Sequence, residues 1–151
     1  MMRLRCAEPA DVPVIHALIG ELADYERLRS QMVGRIEDLQ RHLFGEPRFA
    51  HALIAHWDNE VAGFALYFFN YSTFRCRPGL YLEDLFVRPA FRGRGIGLSL
   101  LTALEQRARD SGCGRFEWAV LDWNRAAIDV YRRFGAHAHE GWTLYRKELP
   151  G

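Results

Sequence analysis

Two acids stand side by side in an otherwise apolar run, Glu83 and Asp84 within "LYLEDLFV" at 80–87. A carboxylate buried there without a partner is costly, so at least one of the pair must meet water, a cation or a substrate amine. Pairing with a nearby arginine, Arg75 or Arg115, is the purely structural alternative. Adjacent side chains of a strand point to opposite faces, and only a bulge brings two neighbours to one side. Pro89 then breaks the run, and glycines at 93, 95 and 97 follow, interleaved with Arg92 and Arg94. Glycines let backbone N–H groups converge without Cβ interference, and a helix N-terminus adds partial positive charge. Guanidinium groups suit phosphate oxygens. The chemistry implied is recognition of a diphosphate. A P-loop is excluded because no Lys-Ser or Lys-Thr follows the glycines. A dinucleotide fingerprint needs different glycine spacing on the first strand-to-helix turn, whereas about ninety residues precede this one. A solvated basic turn is the alternative that the motif alone leaves open.

The elements that must position these groups follow from periodicity. "RLRCAE" reads as a first strand, and Ile15, Leu18, Ile19 and Leu22 in "PADVPVIHALIGELADYER" fall at helical spacing, with Asp11 as N-cap. Ile36, Leu39 and Leu43 share a face of a second helix that stops at Gly45–Pro47. "FAHALIAHW" and "EVAGFALYFFN" form a hairpin through an Asp58-Asn59 turn. Gly79–Val87 is the next strand, residues 95–109 a helix with Ile96, Leu100, Leu104 and Ala108 on one stripe, and "RFEWAVL" a further strand. Asn124 caps a short helix through Phe134 with Gly135 at its C′ position, and "GWTLYRKEL" supplies a last strand. The expected order is β-α-α-β-β-β-α-β-α-β, an α/β fold without linker or repeat, hence one domain over 1–151.

Composition narrows the function classes. A net charge of +1 gives no bulk field to recruit nucleic acid or an anionic membrane. Cys6, Cys76 and Cys113 are odd in number and widely spaced, which argues against a disulfide framework or a zinc site. His137 and His139 alternate on the expected last strand without a third ligand, so no metal is expected. No leader-like or membrane-spanning run is seen, and the expectation is a soluble, cytoplasmic protein. Cys76 and Cys113 have no evident base, which disfavours a Cys-linked acyl intermediate.

Arg92-Gly93-Arg94-Gly95-Ile96-Gly97, following "VRPAF", resembles the R-x-x-G-x-G/A motif of the GNAT-type N-acetyltransferases. The resemblance runs over residues 2–147 and is nearest the diamine (spermidine/spermine) acetyltransferase branch, through "ELADYE" (21–26), "YLEDLFV" (81–87), "WNRAAIDVYRRFGA" (123–136) and "GWTLY" (141–145). It implies a mixed, mostly antiparallel twisted sheet flanked by helices, a homodimer, and acetyl-CoA as acetyl donor. The turn from Arg92 through Gly97 and Leu98 would hold the diphosphate. Leu85, Phe86 and Val87 would offer backbone to the pantetheine arm, which Asn124, Arg125, Ala126 and Ala127 would border. Acyl transfer to an amine needs a base for the ammonium, a donor for the developing oxyanion and a proton for the departing thiolate. The resemblance gives Glu83 the part of base through water and sets Asp84 near the amine. Tyr131, seven residues after Asn124, reads from its helical stripe alone as a core aromatic; the resemblance makes it the general acid. Tyr25 and Glu26 match the acceptor side, as does Glu140 before "GW"; Glu117 and Trp118 are further candidates for the acceptor pocket, or simply residues of a half-buried strand.

The acceptor side departs from the polyamine pattern. "YSTFRCRPG" has Ser72 and Phe74 where the branch carries an acid and a tryptophan, and adds Arg75 and Arg77. Extra positive charge opposes a polycation and suits an amine that bears a carboxylate. The expectation is therefore N-acetylation of a primary amine of a small molecule: a diamine, a polyamine or a lysine-like amino acid. Acetylation of protein N-termini or lysines, and non-catalytic acyl-CoA binding, are the alternatives.

Overall fold

The structure is a computed structural model that describes residues 1–151, which separate into two units, Met1–Leu121 and Asp122–Gly151. In the first unit the apolar periodicities become β1 (Met2–Cys6), α1 (Val12–Tyr25), α2 (Ile36–Phe44), β2 (His51–Trp57), β3 (Glu60–Ser72), β4 (Arg77–Val87), α3 (Ile96–Asp110) and β5 (Arg115–Trp118). The second unit contains α4 (Arg125–Arg133). Sequential strands pair with one another in a sheet of order β1-β2-β3-β4-β5. The first four are antiparallel, while β5 returns through α3 and runs parallel to β4. That is the pairing a helical crossover requires. The Asp58-Asn59 turn is as expected: both residues have positive φ, 48° and 72°, the conformation whose twist matches a two-residue hairpin.

One sheet face packs on α1 and α2. Ile15, Leu18, Leu22 and Leu43 meet Ala52, Ile54, Phe64, Leu66 and Phe86 in a buried core. The other face carries α3, whose buried Leu100, Leu101 and Leu104 lie on the sheet side and whose Arg107 sits 6.0 Å over the Tyr67 ring. At Gly63 a Cβ would come within 2.4 Å of the Phe86 carbonyl oxygen, so β3 and β4 cross there at a separation only glycine permits.

Two expectations fail. Asp11 directly precedes α1 but makes no capping bond. Its carboxylate instead receives a fork of bonds from Arg5 at 2.7 and 2.8 Å and one from the Glu8 N–H, so an ion pair outcompetes the cap. The last strand is absent too. Residues 137–151 contain no strand, and Trp142, Leu144, Tyr145 and Leu149 are exposed. Alternating pattern becomes a strand only where a neighbour completes the hydrogen-bond ladder, and no ladder forms here. His137 and His139 consequently lie in irregular chain, with the His139 ring stacked 6.0 Å from Trp142.

Three helices end alike with different residues. After α3 and α4 the chain turns at Gly112 (φ 74°) and Gly135 (φ 96°), and α1 turns at Arg27 (φ 61°). Each closes with the paired bonds of a Schellman motif, such as Leu28 N–H to Ala23 O at 2.8 Å and Ala136 N–H to Tyr131 O at 3.0 Å.

Candidate active site

The acid pair lies where the β3–β4 ladder slips. Tyr67 faces Leu82 and Leu66 faces Asp84, so Glu83 has no partner on β3. This bulge resets the alternation. Leu82 shares Tyr67's face, under α3, whereas Asp84 joins Leu66 and Phe86 on the α1 side, the face that also carries Tyr81 and Phe68. The bulge anticipated as the one way to bring the acids together is therefore present. Below it β4 also loses its second neighbour, because the β4–β5 ladder ends at Leu82–Trp118. The backbone of Leu85, Phe86 and Val87 keeps β3 on one side and has no strand on the other.

Electrostatics follow from this packing. Glu83 is exposed and Asp84 half-buried, and neither forms an ion pair with Arg75 or Arg115. Burial, then the charges of Glu83 and Glu26, push the Asp84 carboxyl up to about 7. Glu26, at the C-terminal end of α1, is raised by burial and by Glu83. Tyr81 is raised by burial and by Glu83 and Glu117. Three carboxylates thus converge on the α1 face, and burial of Asp84, reinforced by the charges of the other two, leaves it able to exchange a proton near neutrality.

Two arginines hold α1 against this region. Arg88 grips Glu21 of α1 through Nε and Nη2 at 3.1 and 2.9 Å and donates to the Val61 carbonyl at 3.1 Å. Arg92 donates Nε–H to the Val87 carbonyl at 2.9 Å, its guanidinium 4.8 Å from the Tyr25 ring centre and 5.6 Å from that of Phe86. Arg94 lies over Trp57 at 4.8 Å and Phe91 at 5.6 Å. Both guanidiniums of the turn therefore rest on aromatic faces. The turn itself keeps the form expected of an anion cradle. Gly93 and Gly95 have φ of 80° and 78°, nothing lies within 4 Å of the Cβ either would carry, and α3 starts at Ile96 with the first-turn amides of Ile96, Gly97 and Leu98. The residues present fit a diphosphate.

In the second unit, Asn124 caps α4 as expected, its Oδ1 accepting from the Ala127 N–H at 3.3 Å. Arg125 and Ala126 occupy the exposed first turn, and Tyr131 is half-buried two turns on. Glu140 is exposed in the irregular segment beyond.

The remaining acceptor candidates divide. Glu117 pairs across with Tyr81 and so lies on the acids' face, whereas Trp118 pairs with Leu82 and lies on the α3 face, its ring 4.8 Å from Phe116. Trp118 is therefore removed from the acids' side by strand alternation. Arg75 and Arg77 are displaced as well. Arg77 stands six residues before Glu83 on β4, roughly 20 Å along a strand. Arg75 donates Nη1–H to the Gly114 carbonyl. An acceptor of lysine length, roughly 7 Å from amine to carboxylate, does not span that gap. Sequence reasoning passed over Tyr81, Arg88 and Glu21, although the i, i+2 spacing of Tyr81 and Glu83 was a usable signal.

Comparison with known proteins agrees with this geometry. Residues 17–136 match the model of the acetyltransferase (GNAT) family. A thialysine N-epsilon-acetyltransferase of Bos taurus is 40% identical over 96% of this chain and 91% of its own. An L-ornithine N5-acetyltransferase of Arabidopsis thaliana is 34% identical over 95% of this chain and 83% of its own. Among solved structures, an integron cassette protein from the mobile metagenome of V. cholerae superposes with a TM-score of 0.81 at 26% identity, covering 98% of this chain and 93% of that one. The cradle before α3, the slipped strand with its acids and the extent of these matches agree: the chain belongs to the acetyltransferase (GNAT) family.

Proposed function

We propose that this protein transfers the acetyl group of acetyl-CoA to the side-chain amine of a small lysine- or ornithine-like amino acid, by direct attack in a ternary complex. The observation that carries the reading is Asp84, a half-buried carboxyl poised near neutrality on the face where Glu83 and Glu26 converge. An alkylammonium titrates near ~10 and must lose a proton before it can attack. A base with a pKa close to the working pH is the most effective group to take it. Asp84 accepts that proton, and exposed Glu83 passes it to water. Glu26 and Tyr25 hold the cationic end of the acceptor from α1. The thialysine and ornithine acetyltransferases, similar over nearly the whole chain, support an amino acid as acceptor.

Acetyl-CoA supplies the acetyl group as a thioester. The amides of Gly93 to Leu98 hold its diphosphate, Arg92 and Arg94 stand beside them, and Leu85, Phe86 and Val87 offer unladdered backbone to its arm. On the family resemblance, Asn124 to Ala127 border that arm and Tyr131 carries the proton for a departing sulfur. The family match runs through both units, which supports 1–151 acting as one acetyltransferase domain. A homodimer in the cytoplasm completes the reading; no helix is long and apolar enough to cross a membrane.

Thiol release from acetyl-CoA, measured across thialysine, lysine, ornithine, diamines, spermidine and an N-terminal peptide, tests it. Release with the amino acids supports the proposal. Release with the peptide alone moves the acceptor to protein, and a protein that binds acetyl-CoA without release under any amine is not an enzyme of this kind. Tyr131→Phe should bind acetyl-CoA normally and turn over much more slowly; unchanged turnover removes Tyr131 from catalysis.

A further inference from the structure

Arg115 and Glu117 lie two residues apart on β5, on the sheet face that carries Glu83 and Asp84. The register orders the groups along that face. Glu117 stands opposite Tyr81 and Arg115 opposite Gly79, so the two β5 residues occupy the first and second rows beyond the acids. Rows on one face repeat every ~6.7 Å, which puts the Arg115–Glu117 pair about 7–13 Å from the bulge. This is the distance range in which the head group of a lysine-like acceptor falls when its side-chain amine is at Asp84.

The pair is assembled loosely. Arg115 Nε lies 3.0 Å from Glu117 Oε1, yet that N–H makes no hydrogen bond, so charge and not hydrogen-bond geometry holds the two together. Arg115 is anchored from the other side by Nη2 donating to the Tyr71 carbonyl at 3.1 Å, and its stem crosses Gly79, where a Cβ would come within 3.1 Å of it. Asn70 Oδ1, at the same glycine, is a buried acceptor without a donor. Both charged side chains are about one third exposed, 34% and 38%. A guanidinium and a carboxylate that are fixed in place, accessible and imperfectly satisfied by each other are complementary to a zwitterion.

We propose that Arg115 and Glu117 form a subsite for the α-amino-acid head group of the acceptor, Arg115 taking the α-carboxylate and Glu117 the α-ammonium, with Tyr81 lining the path to Asp84. This rests on the amino-acid reading above and sharpens it: the subsite is what separates a lysine-like acceptor from the diamine of the same length. Arg75 and Arg77, which looked suited to that task in the sequence, are too far along the hairpin to perform it.

The test is kcat/KM with acetyl-CoA and three amines of one length: lysine, cadaverine, which lacks the carboxylate, and 6-aminohexanoate, which lacks the α-amine. The unmodified protein should prefer lysine over each analogue by ~10–100-fold, the range for hydrogen bonds to charged groups. Arg115→Gln should collapse the lysine-to-cadaverine ratio toward one, and Arg115→Lys should restore part of it. Glu117→Gln should collapse the lysine-to-6-aminohexanoate ratio while leaving the cadaverine ratio largely in place, and it keeps the test decisive if Arg115→Gln fails to fold. An active enzyme that does not distinguish lysine from cadaverine, or Arg115→Gln and Glu117→Gln proteins with unchanged ratios, overturns the subsite and leaves the acetyltransferase reading standing. Absence of turnover with all three amines, and with thialysine and ornithine, overturns the amino-acid reading and the subsite with it.

Discussion

The two halves of β4 differ by a single unopposed residue. From Arg77 to Leu82 the strand is paired on β3 in regular register and, from Gly79, on β5 as well. From Asp84 to Val87 it is paired on β3 alone, one residue out of step. The first half is scaffold: its ladder is full, and it fixes Tyr81, Arg115 and Glu117 in rows. The second half gives up a ladder, and what it frees is what the proposed reaction would use: two acids toward one face and a strip of backbone along one edge. A bulge at the junction serves both, since it ends one pairing and re-aims the side chains that follow.

That contrast can be broken most severely at the acids. Asp84→Asn should lower kcat/KM by ~10²–10³, in the range for loss of a general base, and Glu83→Gln by roughly tenfold or less. Steady-state kinetics with the best acceptor decides between them, and a Glu83 variant more damaged than the Asp84 one would reverse the assignment.

The halves should also differ in tolerance of a methyl group. Gly63→Ala, below the bulge, drives a Cβ into the Phe86 carbonyl and should cost about 1–3 kcal/mol in denaturant unfolding. Gly79→Ala, above it, meets the end of the Asn70 side chain and the Arg115 stem at 3.1 Å, side-chain atoms and not backbone, and should cost less. Equal losses would mean that the two halves are equally rigid.

Protonation sharpens the comparison further. Activity that needs ionised Asp84 should rise with pH through about 7, and Glu26→Gln, by removing a like charge, should move that limb to lower pH by a fraction of a unit. A limb that stays put would place the repulsion elsewhere. The sign for stability is opposite. The Asp84 carboxyl is raised in the folded protein from 3.8 to about 7, so its charge destabilises the fold increasingly between those values and fully above 7. Asp84→Asn should therefore raise the melting temperature at pH 8 by a few degrees more than at pH 4.

The smallest effect concerns α1. Arg27 holds a left-handed conformation that α3 and α4 give to glycine, and Arg27→Gly should stabilise by about 0.5–1 kcal/mol. A loss instead would show that the Arg27 side chain contributes more than its backbone costs.

How much of this was legible in the sequence depends on whether the signal was local. The Asp58-Asn59 hairpin, the Asn124 cap, the Gly135 stop and the glycine turn before α3 are written in a few contiguous residues, and each is found where expected. The slip at Glu83 is not local. The adjacent acids of "LYLEDLFV" leave a bulge open as a reading, and only the count of residues on β3 shows that one is there and that Glu83 is the residue without a partner. The faces of Glu117 and Trp118, and the remoteness of Arg77, likewise depend on register between segments far apart in the chain. The Asp11 cap and the last strand failed for a related reason. Arg5 reaches the Asp11 carboxylate from another element, and residues 141–149 have the pattern of a strand but form no ladder.

The guanidinium of Arg94 on Trp57 has an optical consequence. Indole emission depends on the charge and polarity against its ring, and the turn has placed a guanidinium 4.8 Å from the centre of the Trp57 ring. A diphosphate that draws Arg94 toward the amides of Gly93 to Gly97 takes that cation with it. Trp57 is then a built-in reporter of cofactor binding, readable by titration without label or chemistry, and Trp57→Phe should remove its share of the signal while leaving the cradle intact.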